Sequence, residues 1–247
     1  MANVKKFPLN AVVNLLRHNR REIIKDRNRS INSELTALNY FLTPDRGGLT
    51  EYEYFQKRKA EVYCYGRSDV KVLAGWICSL PAEISDPKRQ KEFFRLTYDF
   101  LENRYGRENV VQAVVHRDEC ISFKKRDLSG NVICDDVGQP VYEVLLGRPH
   151  LHFCFIPVVP DDNPRHLQTE KICVNDVLNP EELRRFHPEY QQYLADHGVK
   201  ARVYSGLAAD NCPWSINDIG SKSDIELLRD EIRKAQRWTD KHSRKGW

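Results

Sequence analysis

The apolar residues of this chain fall into short periodic runs, and the spacing within each run selects an element. Val12, Leu15, Leu16 and Ile23 recur at helical intervals, which predicts a helix over residues 11–26 carrying His18 and several arginines on its other sides. A polar stretch follows, with TPDRGG at 43–48 as a turn. Residues 70–80 are rich in β-prone side chains and stop at Pro81, so they predict a strand. Asp86 followed by Pro87 marks a helix start, and Phe93, Leu96, Phe100 and Leu101 form an apolar stripe that stops before Gly106. Residues 110–115 and 151–159 predict two further strands. Residues 180–198 are helical up to Pro188 and beyond it, and the missing proline amide should split that helix in two. The last twenty residues, rich in Lys, Arg and Trp, predict a helix that frays into a tail. Strands and helices interleave without a regular βαβ rhythm, so the expected class is α+β, an antiparallel sheet with helices packed on it.

Composition bounds this picture without changing it. The chain has 247 residues, 40% hydrophobic and 30% charged, enough for one large folded domain or two small ones. No run approaches the roughly 18 apolar residues of a membrane span, and MANVKKFPLN lacks the apolar stretch of a secretion signal, so a cytoplasmic protein without a membrane segment is expected. Seven cysteines, odd in number and with no CxxC pair, argue against a disulfide framework or a zinc knuckle.

Where the charge sits says more than its sum. The net charge is +4, yet Arg17, Arg20, Arg21, Lys25, Arg27 and Arg29 face only Glu22 and Asp26 within residues 17–29, and residues 229–245 hold seven basic against three acidic groups. Each segment is locally +4, so the remainder is slightly acidic and a polyanion is drawn to these two stretches. A solvated helix face is the plain alternative for each.

The candidate chemistry lies in histidines. GRPHLHFCFIPVV places His150 and His152 two apart on a predicted strand, so both imidazoles leave one face while Leu151, Phe153 and Phe155 enter a core from the other. Two such ligands suit a divalent metal; two hydrogen-bonded histidines without one are the alternative. QAVVHRDE ends the preceding strand with His116, Asp118 and Glu119. A third imidazole there would complete a three-histidine set with positions left open, as in catalytic metal sites. Asp118 and Glu119 are then candidates to hold the second nitrogens of the ligand rings, with a solvated strand end as the alternative, more so for Asp118. Two turn signals, at 127–131 and 135–140, break the intervening stretch into short β-prone runs, consistent with growth from a connecting hairpin.

These motifs resemble, in order, those of the MobV (Mob/Pre plasmid mobilisation) relaxases of the HUH endonuclease superfamily. LLRHNRRE supplies His18 and, three residues later, Arg21; LNY at 38–40 and the strand around 74–79 follow; then come His116, Asp118, Glu119, Pro149, His150 and His152, and after them EKICVNDVLNPEELRRF and YLADHG. The resemblance implies an HUH-type central antiparallel sheet with the metal site on its central strands, in a catalytic domain over 1–205 that carries an inserted hairpin at about 120–148 and is followed by a helical basic extension over 206–247. It implies a bacterial cytoplasmic enzyme that nicks and rejoins one strand of origin-of-transfer DNA, single-stranded or in a hairpin, through a covalent 5′-phosphate intermediate. His18 would be the nucleophile, with Mn²⁺ or Mg²⁺ on His116, His150 and His152. Arg21, one turn further along the helix, would clamp the scissile phosphate, and Glu119 would hold the second ring nitrogen of His18 or of a ligand. Arg17, Arg20, Lys25, Arg27 and Arg29 would contact the DNA; a homodimer is left open.

Two departures stand out. Twenty-nine residues separate Glu119 from Pro149, where the family has a short spacer, and the stretch before His18 is short for the family's opening strand, so a reduced sheet edge is expected. The rival readings are a replication initiator or transposase of the same superfamily using a tyrosine such as Tyr40, Tyr52 or Tyr54, a DNA-binding relative without catalysis, and a metal hydrolase of small molecules, which the basic segments fit less well.

Overall fold

A computed structural model of the chain describes residues 2–22, 31–127 and 130–203. The expected extension over 206–247, Lys25, Arg27 and Arg29, and Cys212 lie outside the described residues. By its contacts the described chain divides into two compact units, residues 2–119 with 147–203, and residues 120–146.

The first unit is built on a five-stranded antiparallel sheet. Its strands are β1 (Ala2–Pro8), β2 (Tyr40–Phe41), β3 (Lys71–Ser79), β4 (Val110–His116) and, numbered in chain order, β7 (His150–Phe155), arranged β1-β3-β7-β4-β2. β4 and β7 are therefore interior strands, and both read as nearly continuous apolar runs because helices cover both faces. On one face lie α1 (Leu9–Asn19) and α2 (Glu51–Glu61), whose Val12, Leu16 and Phe55 pack with Val72, Leu73, Val111 and Ile156. On the other lie α3 (Pro87–Tyr105) and, in chain order, α5 (Pro180–Asp196), packed on Trp76, Ala113, Val115, Leu151, Phe153 and Phe155. The short α4 (Val174–Val177) and the two-stranded pair β8 (Val158–Pro160) and β9 (Glu170–Ile172) complete the unit.

Local chemistry sets the helix ends. Asp86 caps α3, its carboxylate accepting from the Arg89 amide at 2.9 Å with Pro87 in the first turn, and Gly106 at φ 87° stops it. Thr50 and Glu53 form a reciprocal capping box at the start of α2.

Three expectations are corrected. The opening strand is not reduced, because β1 runs seven residues along β3 as a full sheet edge. The first helix ends at Asn19, not in the region of residue 26: Arg21 adopts φ 61°, a left-handed conformation that costs a non-glycine residue roughly 1–2 kcal/mol and that its ion pairs, described below, hold in place. α5 is not split at Pro188. Packing on both sides of the proline carries the helix through: Phe186 stacks on Trp76 with ring centroids 3.6 Å apart, and Tyr190 shares a 2.6 Å hydrogen bond with Thr97 of α3.

The second described unit is a ribbon, β5 (Cys120–Lys124) paired with β6 (Tyr142–Leu146), continued by hydrogen bonds of Asp127 with Gly130 and Asn131 and by a turn at Asp135–Gly138. In the first unit, the Gly147 amide donates to the Glu119 carbonyl at 2.7 Å, where the chain leaves for the ribbon and returns from it. A Cβ on Gly147 would lie 2.8 Å from that carbonyl oxygen, so glycine is what allows the approach.

Phe186 is fully buried, so Phe186→Ala should destabilise the chain by about 3–5 kcal/mol in urea unfolding followed by far-UV circular dichroism. A loss near zero would mean that the stack on Trp76 does not hold α5 to the sheet.

Candidate metal centre

Register brings the histidines together. β4 and β7 pair His116 directly with His150 and Val114 with His152, so His116, His150 and His152 leave the same face of adjacent strands, the face covered by α1. Ring centroids lie 4.6–5.6 Å apart, and one ligand atom from each ring and one from Glu119 lie within 4.8 Å of one another.

Main-chain carbonyls fix which ring nitrogens face inward. His116 donates from Nε2 to the Asn19 carbonyl at 2.8 Å, which leaves the buried Nδ1 without a hydrogen-bond partner, 3.3 Å from Glu119 Oε1. His150 donates from Nδ1 to the Arg148 carbonyl at 3.0 Å, leaving Nε2 facing His152 Nε2 at 3.1 Å and Glu119 Oε2 at 3.3 Å. Three ring nitrogens and a carboxylate therefore converge on one volume, a concentration of acceptors that a shared proton or a cation must offset. Three imidazoles and one carboxylate are the donor set of a divalent transition metal, and the orphaned Nδ1 of His116 is the atom that such an ion would satisfy.

The second nitrogens of His116 and His150 are held by backbone carbonyls and not by Asp118 or Glu119, and Glu119 faces the inward nitrogens of these two rings. Asp118 is not a solvated strand end, since its side chain is 0% exposed. It takes the Arg21 guanidinium at both oxygens, Nε to Oδ2 at 2.9 Å and Nη2 to Oδ1 at 2.7 Å, and accepts from Thr36 and Asn39.

Arg21 is equally enclosed, with its side chain 3% exposed; Nη2 also donates to Glu119 Oε1 at 2.9 Å and Nη1 to the His18 carbonyl at 3.5 Å. In this geometry it ties the end of α1 to the end of β4. His18, half-buried, occupies the last turn of α1 between these ties, next to the Asn19 whose carbonyl holds His116. Arg17 is exposed, and Arg20 pairs with Glu51 at 2.7 Å.

Electrostatics follow from this packing. Burial, and then the Arg21 charge, lowers the His18 pKa, with Glu119 pulling the other way. Burial would raise the Asp118 carboxyl, but the Arg21, Asn39 and Thr36 donors outweigh it and lower it. Glu119 is likewise pushed up by burial and pulled well below the carboxylate range by His116, His150 and Arg21. Burial also lowers His150, yet Glu119 raises it overall, while burial and the two neighbouring rings hold His152 well below its ordinary value.

Sequence reasoning missed Asn19, Thr36, Asn39 and Gln112. Only Gln112 left a signal, as the polar interruption in an otherwise apolar run VVQAVV.

Comparison with known proteins places the chain among relatives. The family model Mob_Pre, plasmid recombination enzyme, matches residues 1–202. Plasmid recombination enzyme type 1 of Staphylococcus aureus is 24% identical over 239 residues, which take in 90% of this chain and 49% of that protein. Plasmid recombination enzyme type 2 of the same species is 32% identical over 192 residues, 75% of this chain and 37% of its own length. The Streptococcus agalactiae plasmid recombination enzyme is 24% identical over 208 residues, 81% of this chain and 34% of its own. The chain thus spans about a third to a half of the length of these relatives. Among solved structures, the MobM relaxase domain bound to plasmid pMV158 oriT DNA, in a Mn-bound crystal, superposes with a TM-score of 0.64 at 18% identity, covering 90% of this chain and 97% of that one, and so shares the fold. Among the described residues, no helix is long and apolar enough to cross a membrane.

Breaking the buried pair should cost more than a surface ion pair does. Arg21→Ala leaves Asp118 charged and enclosed, and a loss of roughly 3–5 kcal/mol is expected in chemical denaturation at pH 7. Because the Asp118 pKa is lowered by folding, its contribution is complete above the ordinary carboxylate value of about 4 and is lost as the pH falls through the lower folded value. The gap between wild type and Arg21→Ala should therefore narrow in acid; a constant gap would remove the pair from the account.

Proposed function

The chain belongs to the plasmid recombination enzyme family, and from that membership we propose that it is a relaxase, a metal-dependent enzyme that nicks and rejoins one strand of DNA at an origin of transfer. The observation that carries this reading is the convergence of three imidazoles and Glu119 beside the end of the helix that bears His18. Residues 1–205 form the proposed catalytic domain, with the ribbon at about 120–148 inserted and 206–247 as a basic extension. Its proposed substrate is single-stranded or hairpin DNA in the bacterial cytoplasm; Arg17, Arg20, Lys25, Arg27 and Arg29 supply charge for the strand, and a homodimer is compatible with the reading.

His116, His150, His152 and Glu119 would hold the ion, Mn²⁺ or Mg²⁺, which when bound supplies positive charge against the scissile phosphate. The neutral His18 ring attacks phosphorus with its lone pair, forming a P–N bond as the P–O3′ bond breaks. The proton lost from the other ring nitrogen balances the one taken by the departing 3′ oxygen, and the 5′ phosphate stays on His18. Rejoining is the reverse: the 3′ hydroxyl attacks, the P–N bond breaks and the ring regains its proton. Arg21 acts here by fixing the last turn of α1 and the Glu119 carboxylate. The 3.5 Å contact of Nη1 with the His18 carbonyl and the 2.9 Å contact of Nη2 with Glu119 support that role over a phosphate clamp.

The tyrosine alternative finds less support. Burial pushes the Tyr40 hydroxyl up to about 12, Tyr54 donates to the Glu108 carbonyl at 2.6 Å, and the Tyr52 hydroxyl accepts from Gln56.

The test is covalent capture. Single-stranded oligonucleotides tiled across the DNA flanking the gene, incubated with the protein and Mn²⁺ and mapped by mass spectrometry, should give an adduct on His18. His18→Ala should abolish it, and Tyr40→Phe, Tyr52→Phe and Tyr54→Phe should retain it. An adduct that persists in His18→Ala would transfer the role to another residue. His152→Ala should cost at least about 10²-fold in nicking rate, more than loss of an outer partner of a metal ligand costs.

The nucleophile must be uncharged, and its pKa is lowered from the usual imidazole value near 6.5, so nicking at saturating Mn²⁺ should persist somewhat below that pH and fall as the pH passes the lowered value. A midpoint above 6.5 in the rate profile would contradict the buried setting of His18.

A further inference from the structure

Gln112 is the one polar side chain within the apolar body of β4, is 0% exposed, and stands two pleats from His116 on the same face. Its amide is spent on the last turn of α1: Nε2 donates to the Leu16 carbonyl at 3.2 Å and Oε1 accepts from Asn19 Nδ2 at 2.9 Å. A carbonyl can only accept, so Leu16 fixes which end of the Gln112 amide faces which partner. Asn19 must then offer its NH₂, which also reaches Cys154 Sγ at 3.8 Å, and its Oδ1 is left buried without a partner. A buried, unsatisfied oxygen works against stability, and an apolar pair at these two positions would avoid it.

Asn19 has a second attachment, because its backbone carbonyl accepts from His116 Nε2 at 2.8 Å. Strand β4 thus grips the end of α1 at two points, through Gln112 and through His116, and His18 lies between the gripped residues Leu16 and Asn19. Sliding or rotation of α1 would break the Gln112 bonds and at the same time release the carbonyl that orients the His116 ring.

We propose that Gln112 is a positioning residue that sets the register of α1 on β4, so that His18 and the inward nitrogen of His116 keep a fixed relation to one another. Gln112 touches neither metal nor DNA and acts through Asn19. The proposal rests on the reading of His18 as nucleophile and His116 as ligand.

The experiment compares wild type, Gln112→Met and the double variant Asn19→Leu/Gln112→Met in the full chain. Three quantities are measured: melting temperature, affinity for Mn²⁺ alone by electron paramagnetic resonance, and kcat and KM for the oligonucleotide captured above. Gln112→Met should lower kcat and Mn²⁺ affinity by about tenfold each, the low end of what loss of a ligand's outer partner costs, with KM changed by less than about twofold. The double variant leaves neither side-chain amide unpaired and should recover the melting temperature while kcat and Mn²⁺ affinity stay low. Recovery of all three together would reduce Gln112 to a packing role and overturn the proposal, as would kcat and Mn²⁺ affinity at the wild-type level in either variant. If Gln112→Met fails to fold, the double variant alone decides. If the wild type joins no DNA with Mn²⁺, the nucleophile reading fails on its own, and the Mn²⁺ affinities still decide whether Gln112 positions His116.

Discussion

Three imidazole nitrogens and a carboxylate are held toward the same small volume, and the structure around them is a set of restraints that keep these electron-rich groups together. The Asn19 and Arg148 carbonyls take the outer ring protons of His116 and His150 and so prevent those rings from turning their lone pairs away. Arg21 takes one oxygen of Glu119 and keeps it at the cluster. Beneath these contacts the β4–β7 register does the coarse placement. A slip of one residue would send all the histidines of one strand to the opposite face, into the core of Leu151, Phe153 and Phe155. The attraction of a divalent cation for all four donors outweighs their mutual repulsion, which is why the metal reading follows from geometry.

What the sequence disclosed was what alternation and capping control. His150 and His152 share a face because strands alternate, and α3 begins and ends at its capping signals because Asp86, Pro87 and Gly106 act locally. What it concealed was decided at long range. The apolar stripe through Ile23 predicted a longer first helix, but a buried ion pair with Asp118, 97 residues away, holds Arg21 in a left-handed turn. Pro188 predicted a break, and the packing of Phe186 and Tyr190 overrides it. β1 is expected only as a reduced edge because its KK pair interrupts the apolar pattern, and its full length shows only in its pairing with β3; Thr50 and Glu53, by contrast, mark the start of α2 locally.

Twenty-nine residues separate Glu119 from Pro149, yet the backbone keeps Glu119 beside the histidines. The chain leaves at Glu119 and returns at Gly147, where a direct 2.7 Å hydrogen bond closes the neck. That contact is possible because Gly147 has no Cβ to meet the Glu119 carbonyl. With the neck closed by main-chain atoms, the length of what lies between has no leverage on the donors, so an insertion there changes the chain's spacing without changing the cluster.

The adjacent carboxylates Asp118 and Glu119 then divide two tasks that one residue could not perform. Asp118 is sealed against Arg21, and this pair is neutral and rigid; Glu119 shares one Arg21 nitrogen but keeps its carboxylate among the rings. With neutral imidazoles, the buried charges of Asp118, Glu119 and Arg21 leave the cluster at −1. A divalent ion would bring it to +1. Loss of either partner of the Arg21–Asp118 pair alone would shift that charge by one unit, to +2 with a neutral Asp118 and to zero without Arg21. The Arg21–Asp118 pair, neutral as a whole, therefore shapes the turn beside His18 and leaves the net charge of the site to Glu119 and the ion.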